Sequence, residues 1–141
     1  VSEPSPQHAT GLRALNPPGL APGHGYSHVV SVDTPGRLIV ISGQIAVDAD
    51  GALVGPGDLR AQTRQVFANL HTALTAAGAD WQHLLKLGYY VRDASQVTVV
   101  REVRDQILPP GVAPASTLVE VSRLFRDDLL IEIEALAVAP S

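Results

Sequence analysis

The sequence predicts an α+β layer: one mixed β-sheet with two helices packed on one of its faces. Three observations point there. Residues 129–138 alternate strictly, with Leu129, Ile131, Ile133, Ala135 and Ala137 on one side, and period two sustained over that length is a strand signal. Residues 58–77 and 96–108 instead repeat their apolar positions at helical spacing. The elements follow one another as three strands, helix, strand, helix and two strands, an order in which both helices cover the same side of a single sheet.

Residues 1–24 are rich in Ser, Pro, Gly and His and lack periodicity. Asn16-Pro17-Pro18-Gly19 and Pro22-Gly23 are turn signals, so this part reads as an irregular arm ahead of one domain over residues 25–139. Residues 26–32 form the first strand, with Tyr26, His28, Val30 and Val32 on one side. Asp33-Thr34-Pro35-Gly36 turns the chain, with proline at the position that suits its fixed φ. Residues 38–42 read as a buried second strand. Ser42-Gly43-Gln44 ends that apolar run, where a glycine marks a bulge or a close backbone approach. Ile45 to Val47 continue extended, and Asp50-Gly51 turns the chain into Leu53-Val54. Asp48 and Asp50 share part of a calcium-loop pattern, but the remaining ligand positions are missing and a hairpin turn is the better reading.

In the first helix, Asp58 is the N-cap and Gly78 the C-terminal stop. Leu59, Val66, Leu70 and Leu74, flanked by Phe67, Ala73 and Ala77, make its apolar stripe; Arg60, Arg64, Asn69 and His71 fall on the polar side. Residues 85–92 are a strand with Leu85, Leu87, Tyr89 and Val91 on one side. Asp93 or Ser95 caps the second helix, in which Val97, Val100, Val103 and Ile107 are in register, and Pro109-Pro110-Gly111 breaks it. Residues 118–124 and 129–138 close the chain as two strands around a polar turn. The outer side of the last strand carries Glu132 and Glu134 between Leu130 and Leu136. Two carboxylates among apolar neighbours are costly unless paired or functional. Glu134 reads as solvated, or as paired with an arginine such as Arg123.

The helices can cover only one side of the sheet. Leu38, Val40, Leu118 and Leu136 contribute to the uncovered side, and an apolar face of that size takes a partner. Composition narrows the function. The 141 residues suffice for one core. With no cysteine, disulfides and thiolate chemistry are excluded. A net charge of −4 speaks against a nucleic-acid partner. His24 and His28 lie four apart on extended chain, ~13 Å between side chains, too far to share an ion, and no metal site is expected. No phosphate loop, nucleophile elbow or Cys/His cluster occurs, and no cofactor is expected. Neither a signal peptide nor a membrane span is visible, which predicts a cytoplasmic protein without a membrane partner. The sequence holds no methionine, so its natural start is expected to be trimmed or missing.

Pro114-Ala115, Val119-Glu120-Val121, Arg123-Leu124 and Ile131-Glu132-Ile133-Glu134-Ala135 resemble the C-terminal signature of the Rid family (YjgF/YER057c/UK114, with the older label endoribonuclease L-PSP). Gly25-Tyr26-Ser27, Ser42-Gly43-Gln44, Gln62-Thr63-Arg64-Gln65 with Asn69-Leu70, and Ala76-Ala77-Gly78 match further parts of the family pattern. The resemblance runs over residues 26–138. It implies the chorismate-mutase-like YjgF fold and a homotrimer whose sheets pack about a central axis, with clefts between subunits. In the family's deaminases a tyrosine, a serine, an arginine and the first glutamate of the signature line that cleft. The arginine holds the substrate carboxylate and the glutamate positions the attacking water. Carried over by position these are Tyr26, Ser42, Ser116 and Glu132, with Tyr89 and His28 as further substrate contacts.

Ser116 is the departure. A guanidinium holds a carboxylate through two charge-assisted hydrogen bonds, whereas a serine hydroxyl offers one neutral donor. Each carried-over residue also has a structural reading: Ser116 bonding locally at a strand start, Glu132 pairing across an interface, Tyr26 packing at a subunit edge, His28 as an ordinary strand histidine. The resemblance therefore implies a trimer that binds and processes a small reactive imine or enamine, with weak or no classical 2-imino acid deaminase activity. The alternative is a non-catalytic ligand-binding or holdase-type trimer. The acidic balance, and the lack of a His/Lys/Arg catalytic cluster, weigh against an endoribonuclease.

Overall fold

The computed structural model describes residues 11–22, 24–33 and 36–141. The first ten residues of the arm, Gly23, and Thr34 and Pro35 of the expected turn lie outside them. The elements are β1 (Leu12–Leu15), β2 (Val29–Val32), β3 (Arg37–Gln44), α1 (Leu59–Ala76), β4 (Leu84–Val91), α2 (Val97–Ile107), β5 (Ala115–Glu120) and β6 (Ile131–Ala139). The main sheet is mixed and four-stranded, in the order β3-β6-β4-β5. β6 runs antiparallel to both neighbours, and β5 runs parallel to β4. That parallel pair requires a crossover, and α2 supplies it.

α1 begins where the sequence places it. The Asp58 carboxylate accepts from the Ala61 amide at 3.1 Å, satisfying one of the orphan donors of the first turn. Val66, Phe67, Leu70 and Leu74 are fully buried against Ile131, Ile133 and Ala137, also fully buried, on β6. The Phe67 ring meets Trp81 edge-on, centroids 6.1 Å apart, and lies 6.5 Å from that of Tyr89. Val100 and Val103 bring α2 into the same core. Both helices thus lie on one side of the sheet, and the alternation read in residues 129–138 is the boundary between that side and the open one.

Several expectations need correction. The arm is not wholly irregular: Leu12–Leu15 forms β1 and pairs antiparallel with β2 in a two-stranded ribbon separate from the main sheet. Leu12 is fully buried, which anchors that ribbon. The first strand starts later than residue 26, because Tyr26 precedes the ribbon and Ser27 makes an isolated bridge to Ala115. β5 and β6 do not form a hairpin, since β4 lies between them. Leu118 pairs in register with Tyr89 on the helix side and packs against the core, so it is not part of the open face. In β4 a register shift between Leu84 and Lys86 buries Leu84 where Leu85 was expected.

Of the polar residues of α1, Arg64 and His71 are exposed as expected, while Asn69, read on the polar side, and Gln62, which the apolar pattern left unplaced, are tied to loops. Gln62 is fully buried: its amide nitrogen donates to the carbonyls of Gly55 (3.1 Å) and Asp128 (3.0 Å), and its oxygen accepts from the Leu130 amide (2.8 Å). Asn69 donates to the carbonyls of Ile45 (2.9 Å) and Val47 (3.0 Å). The two amides take up backbone groups of loop segments that lie outside the strand ladders. The second helix opens with a 3-10 turn, Ala94–Gln96, capped by Asp93. Among the described residues no helix is long and apolar enough to cross a membrane.

Candidate functional site

Two polar groupings lie on opposite sides of the main sheet. On the helix side, Tyr26, Tyr89 and Ser116 line one cavity of about 320 Å³. Ser116 stands opposite the buried Leu87 in the β4–β5 register, so its side chain belongs to the helix-covered side. Tyr26 reaches it because the residue that follows is tied down. The Ser27 amide donates to the Pro114 carbonyl at 3.1 Å, and its hydroxyl to the Ala113 carbonyl at 2.5 Å. Gly25-Tyr26-Ser27 and Pro114-Ala115-Ser116, distant in sequence, therefore meet at the start of β5.

His28 stands beside this cavity, outside its lining. Its ring lies 5.4 Å from that of Tyr26, edge-on, and Nε2 is 2.6 Å from the Ala21 carbonyl. The Tyr89 hydroxyl is buried without a hydrogen-bond partner among the described residues. Burial raises its pKa well above the ordinary phenol value, and the Arg104 charge nearby opposes part of the rise.

On the open side lie Ser42 and Glu132. Glu132 is opposite Tyr90 in the β4–β6 register, facing away from Tyr89 and the core. The bulge expected at Ser42-Gly43-Gln44 is present: one extra residue of β3 enters between the pairs Ile41–Ala135 and Gln44–Ile133. A side chain on Gly43 would collide with the Glu132 carboxylate, which is why glycine occupies the bulge. Partial burial raises the Glu132 pKa, and the Glu134 charge adds to the effect. Glu134 accepts from the Tyr90 hydroxyl at 2.8 Å; Arg123, the partner suggested for it, instead faces Asp127 at 3.1 Å. Within one chain, then, Tyr26 and Ser116 share a cavity while Ser42 and Glu132 occupy the other side of the sheet.

Two residues of the cavity escaped the sequence reading. Val97, Val100, Arg101 and Arg104 all line it, and they fall at i, i+3, i+4 and i+7, a single helix face. The signal was the placing of two arginines inside the apolar stripe of α2. The Arg104 side chain is buried, donates to Asp105 at 2.9 Å and to the His24 carbonyl at 3.3 Å. It passes over Gly25, whose φ is +77° and where any Cβ would strike the guanidinium. Among the described residues no group of three or more His, Asp or Glu side chains is placed to hold a metal ion.

Comparison with known proteins agrees with this architecture. The family model described as Endoribonuclease L-PSP matches residues 18–139. A crystal structure from the conserved Rid protein family, that of YyfB of Yersinia pestis and of unknown function, superposes with a TM-score of 0.85 at 35% identity, covering 92% of this chain and 99% of that one. A RutC family protein of Synechocystis is 33% identical over 105 residues, 74% of this chain and 80% of its own. The 2-iminobutanoate/2-iminopropanoate deaminase of Escherichia coli is 36% identical over 113 residues, 79% of this chain and 86% of its own.

Proposed function

The chain belongs to the Rid, or endoribonuclease L-PSP, family, and on that premise we propose that it binds a small reactive imine or enamine and hydrolyses its C–N bond at a cleft between the subunits of a cytoplasmic homotrimer. Turnover of simple 2-imino acids is weak or absent. The observation that carries the reading is the division of the polar groups between the two sides of the sheet. Tyr26, Tyr89 and Ser116 line a cavity beside β5, an edge strand. Glu132 and Ser42 stand on a side that no helix covers, next to Leu38 (62% exposed) and Val40 (71% exposed). Burying that apolar side against neighbouring copies sets the Glu132 of one subunit toward the cavity of the next and completes a site that one chain only half contains.

The chemistry follows from the groups. Glu132, its pKa raised by partial burial, is a stronger base than an ordinary glutamate and holds the attacking water. The water oxygen bonds to the imine carbon, its proton passes by way of the carboxylate to nitrogen, and the carbinolamine collapses to a carbonyl with loss of ammonia. Tyr26 and Ser42 provide polar contacts to the reacting groups. Ser116 supplies a neutral hydroxyl where the family's deaminases have a guanidinium, so the carboxylate of a short 2-imino acid is poorly fixed beside β5. The same serine favours the second reading, a trimer that binds its ligand without turning it over. The net charge of −4 disfavours RNA as substrate.

The test generates imines in situ with an amino-acid oxidase and follows their loss with wild type, Ser116→Arg and Ser116→Arg/Glu132→Gln. Slow turnover by wild type, a gain in Ser116→Arg and loss of that gain in the double variant are expected. No turnover of carboxylated or neutral imines by any variant, with the trimer intact, selects the binding-only reading. Fast wild-type turnover of 2-iminobutanoate refutes the need for an arginine at position 116.

A further inference from the structure

We infer that Arg101 is an anion-binding residue: the cavity bounded by Tyr26, Tyr89 and Ser116 holds the carboxylate or phosphate group of its ligand from the α2 wall rather than from β5. The inference rests on that cavity being the ligand site proposed above, and it adds a residue that the family signature does not carry.

Charge bookkeeping around the helix isolates Arg101. Its neighbour Glu102 is engaged by Arg60 of α1 at 2.6 Å. Asp105 is engaged by Arg104 at 2.9 Å. Arg101 lines the cavity and has neither an ion pair nor a hydrogen bond among the described residues. It is the one arginine of that wall left uncompensated. Arg101 is itself exposed, and an exposed arginine needs no partner; what sets it apart is that it shares its helix face with Val97 and Val100 and borders a concave space.

Two further groups point to a ligand in the same cavity. The Tyr89 hydroxyl, in a residue 3% exposed that lines it, has no hydrogen-bond partner among the described residues. A buried hydroxyl left unpaired is unfavourable, and an anionic acceptor entering the cavity relieves that cost. Arg104 is locked by its bonds to Asp105 and the His24 carbonyl, and Asp105 offsets part of its charge, which leaves Arg101 as the cation of that wall with charge to offer. The result is an unpaired cation and a phenol donor without a described partner around a space of about 320 Å³, large enough for a small metabolite. Ser116, on the opposing strand, then serves as a neutral hydrogen-bonding wall. Since the cation enters from the helix, the ligand's anion is seated differently from one clamped by an arginine on β5, in keeping with the weak turnover of the shortest 2-imino acids proposed above.

The experiment measures binding, so it stands apart from turnover. Wild type, Arg101→Gln, Arg101→Lys and the exposed α1 control Arg64→Gln are titrated calorimetrically with 2-oxobutanoate, inorganic phosphate and neutral 2-butanone. Wild type is expected to bind one or both anions and not the ketone. Arg101→Gln should weaken anion binding at least tenfold, Arg101→Lys should restore most of it, and Arg64→Gln should match wild type. Preference for 2-oxobutanoate or for phosphate identifies the class of anion. Equal anion affinity in wild type and Arg101→Gln, or no anion binding by wild type, overturns the inference. Loss of imine turnover with anion binding intact overturns only the proposed reaction.

Discussion

The helix-covered side of the sheet and its open side are built on opposite terms. The covered side is finished within one chain: Phe67, Leu70, Ile131 and Ile133 are fully buried, and the buried amide of Gln62 has partners for both of its ends. The open side is unfinished. Leu38 and Val40 are largely bare, Glu134 has a single phenol partner, and Glu132 sits half-buried over Gly43. Stability is concentrated where a single chain can satisfy itself. The groups with chemistry left to offer are those that it cannot satisfy: Glu132 on one side, and the Tyr89 hydroxyl and Arg101 on the other.

That contrast can be broken from either side. Phe67→Ala on the covered side should have the largest effect on stability, a loss of about 3–5 kcal/mol in urea unfolding, because Trp81 and Tyr89 cannot collapse onto the space it leaves. A loss below about 1 kcal/mol would mean that this side is loosely packed. Val40→Asp on the open side should leave the far-ultraviolet circular dichroism unchanged and convert a trimer into monomers in sedimentation equilibrium. A wild-type monomer at micromolar concentration, or a trimer indifferent to the aspartate, removes the open side from the interface.

Glu132→Gln sharpens the comparison in two measurements. Imine turnover in the Ser116→Arg background should fall about 100-fold or more, the scale of a lost general base. The smallest effect is on stability. The Glu132 pKa is raised in the folded chain, so its favourable contribution is present in full below the ordinary glutamate range and is lost as pH rises through the raised value. Glu132→Gln should therefore melt above wild type at neutral pH, and the difference should close as pH falls past the ordinary glutamate value of 4.5. A difference that widens toward acid would mean that the carboxylate is held by a favourable partner instead.

Local chemistry in the sequence was enough for both helices, the Asp58 cap, the bulge at Gly43 and the buried side of β6. Each depends on periodicity or on the conformational demands of one residue, and such demands act over a few neighbours. The motif residues Tyr26, Ser42, Ser116 and Glu132 were likewise visible as a set. Their division between two sides of the sheet was not, because it turns on the order β3-β6-β4-β5. A strand's alternation shows which residues share a side but leaves open which side faces the helices. Ser116 and Leu118 fell to the helix side only once β5 was paired with β4 in parallel register.

The same limit explains Gln62, Asn69 and the two arginines of α2. A polar residue on a helix reads as solvated until the loop that needs its hydrogen bonds is in place, and those loops come from 7 to 68 residues away along the chain. The sequence by itself determined both helices, the last strand, the family and the substitution at position 116, since these are written in nearest-neighbour spacing and in residue identity. Only the tertiary structure decided that Tyr26 meets Ser116 through Ser27, and that Arg101 shares their cavity with no carboxylate among the described residues to neutralise it. Those facts depend on long-range burial and on the competition of every charge for its nearest partner, and neither exists until the chain has closed on itself.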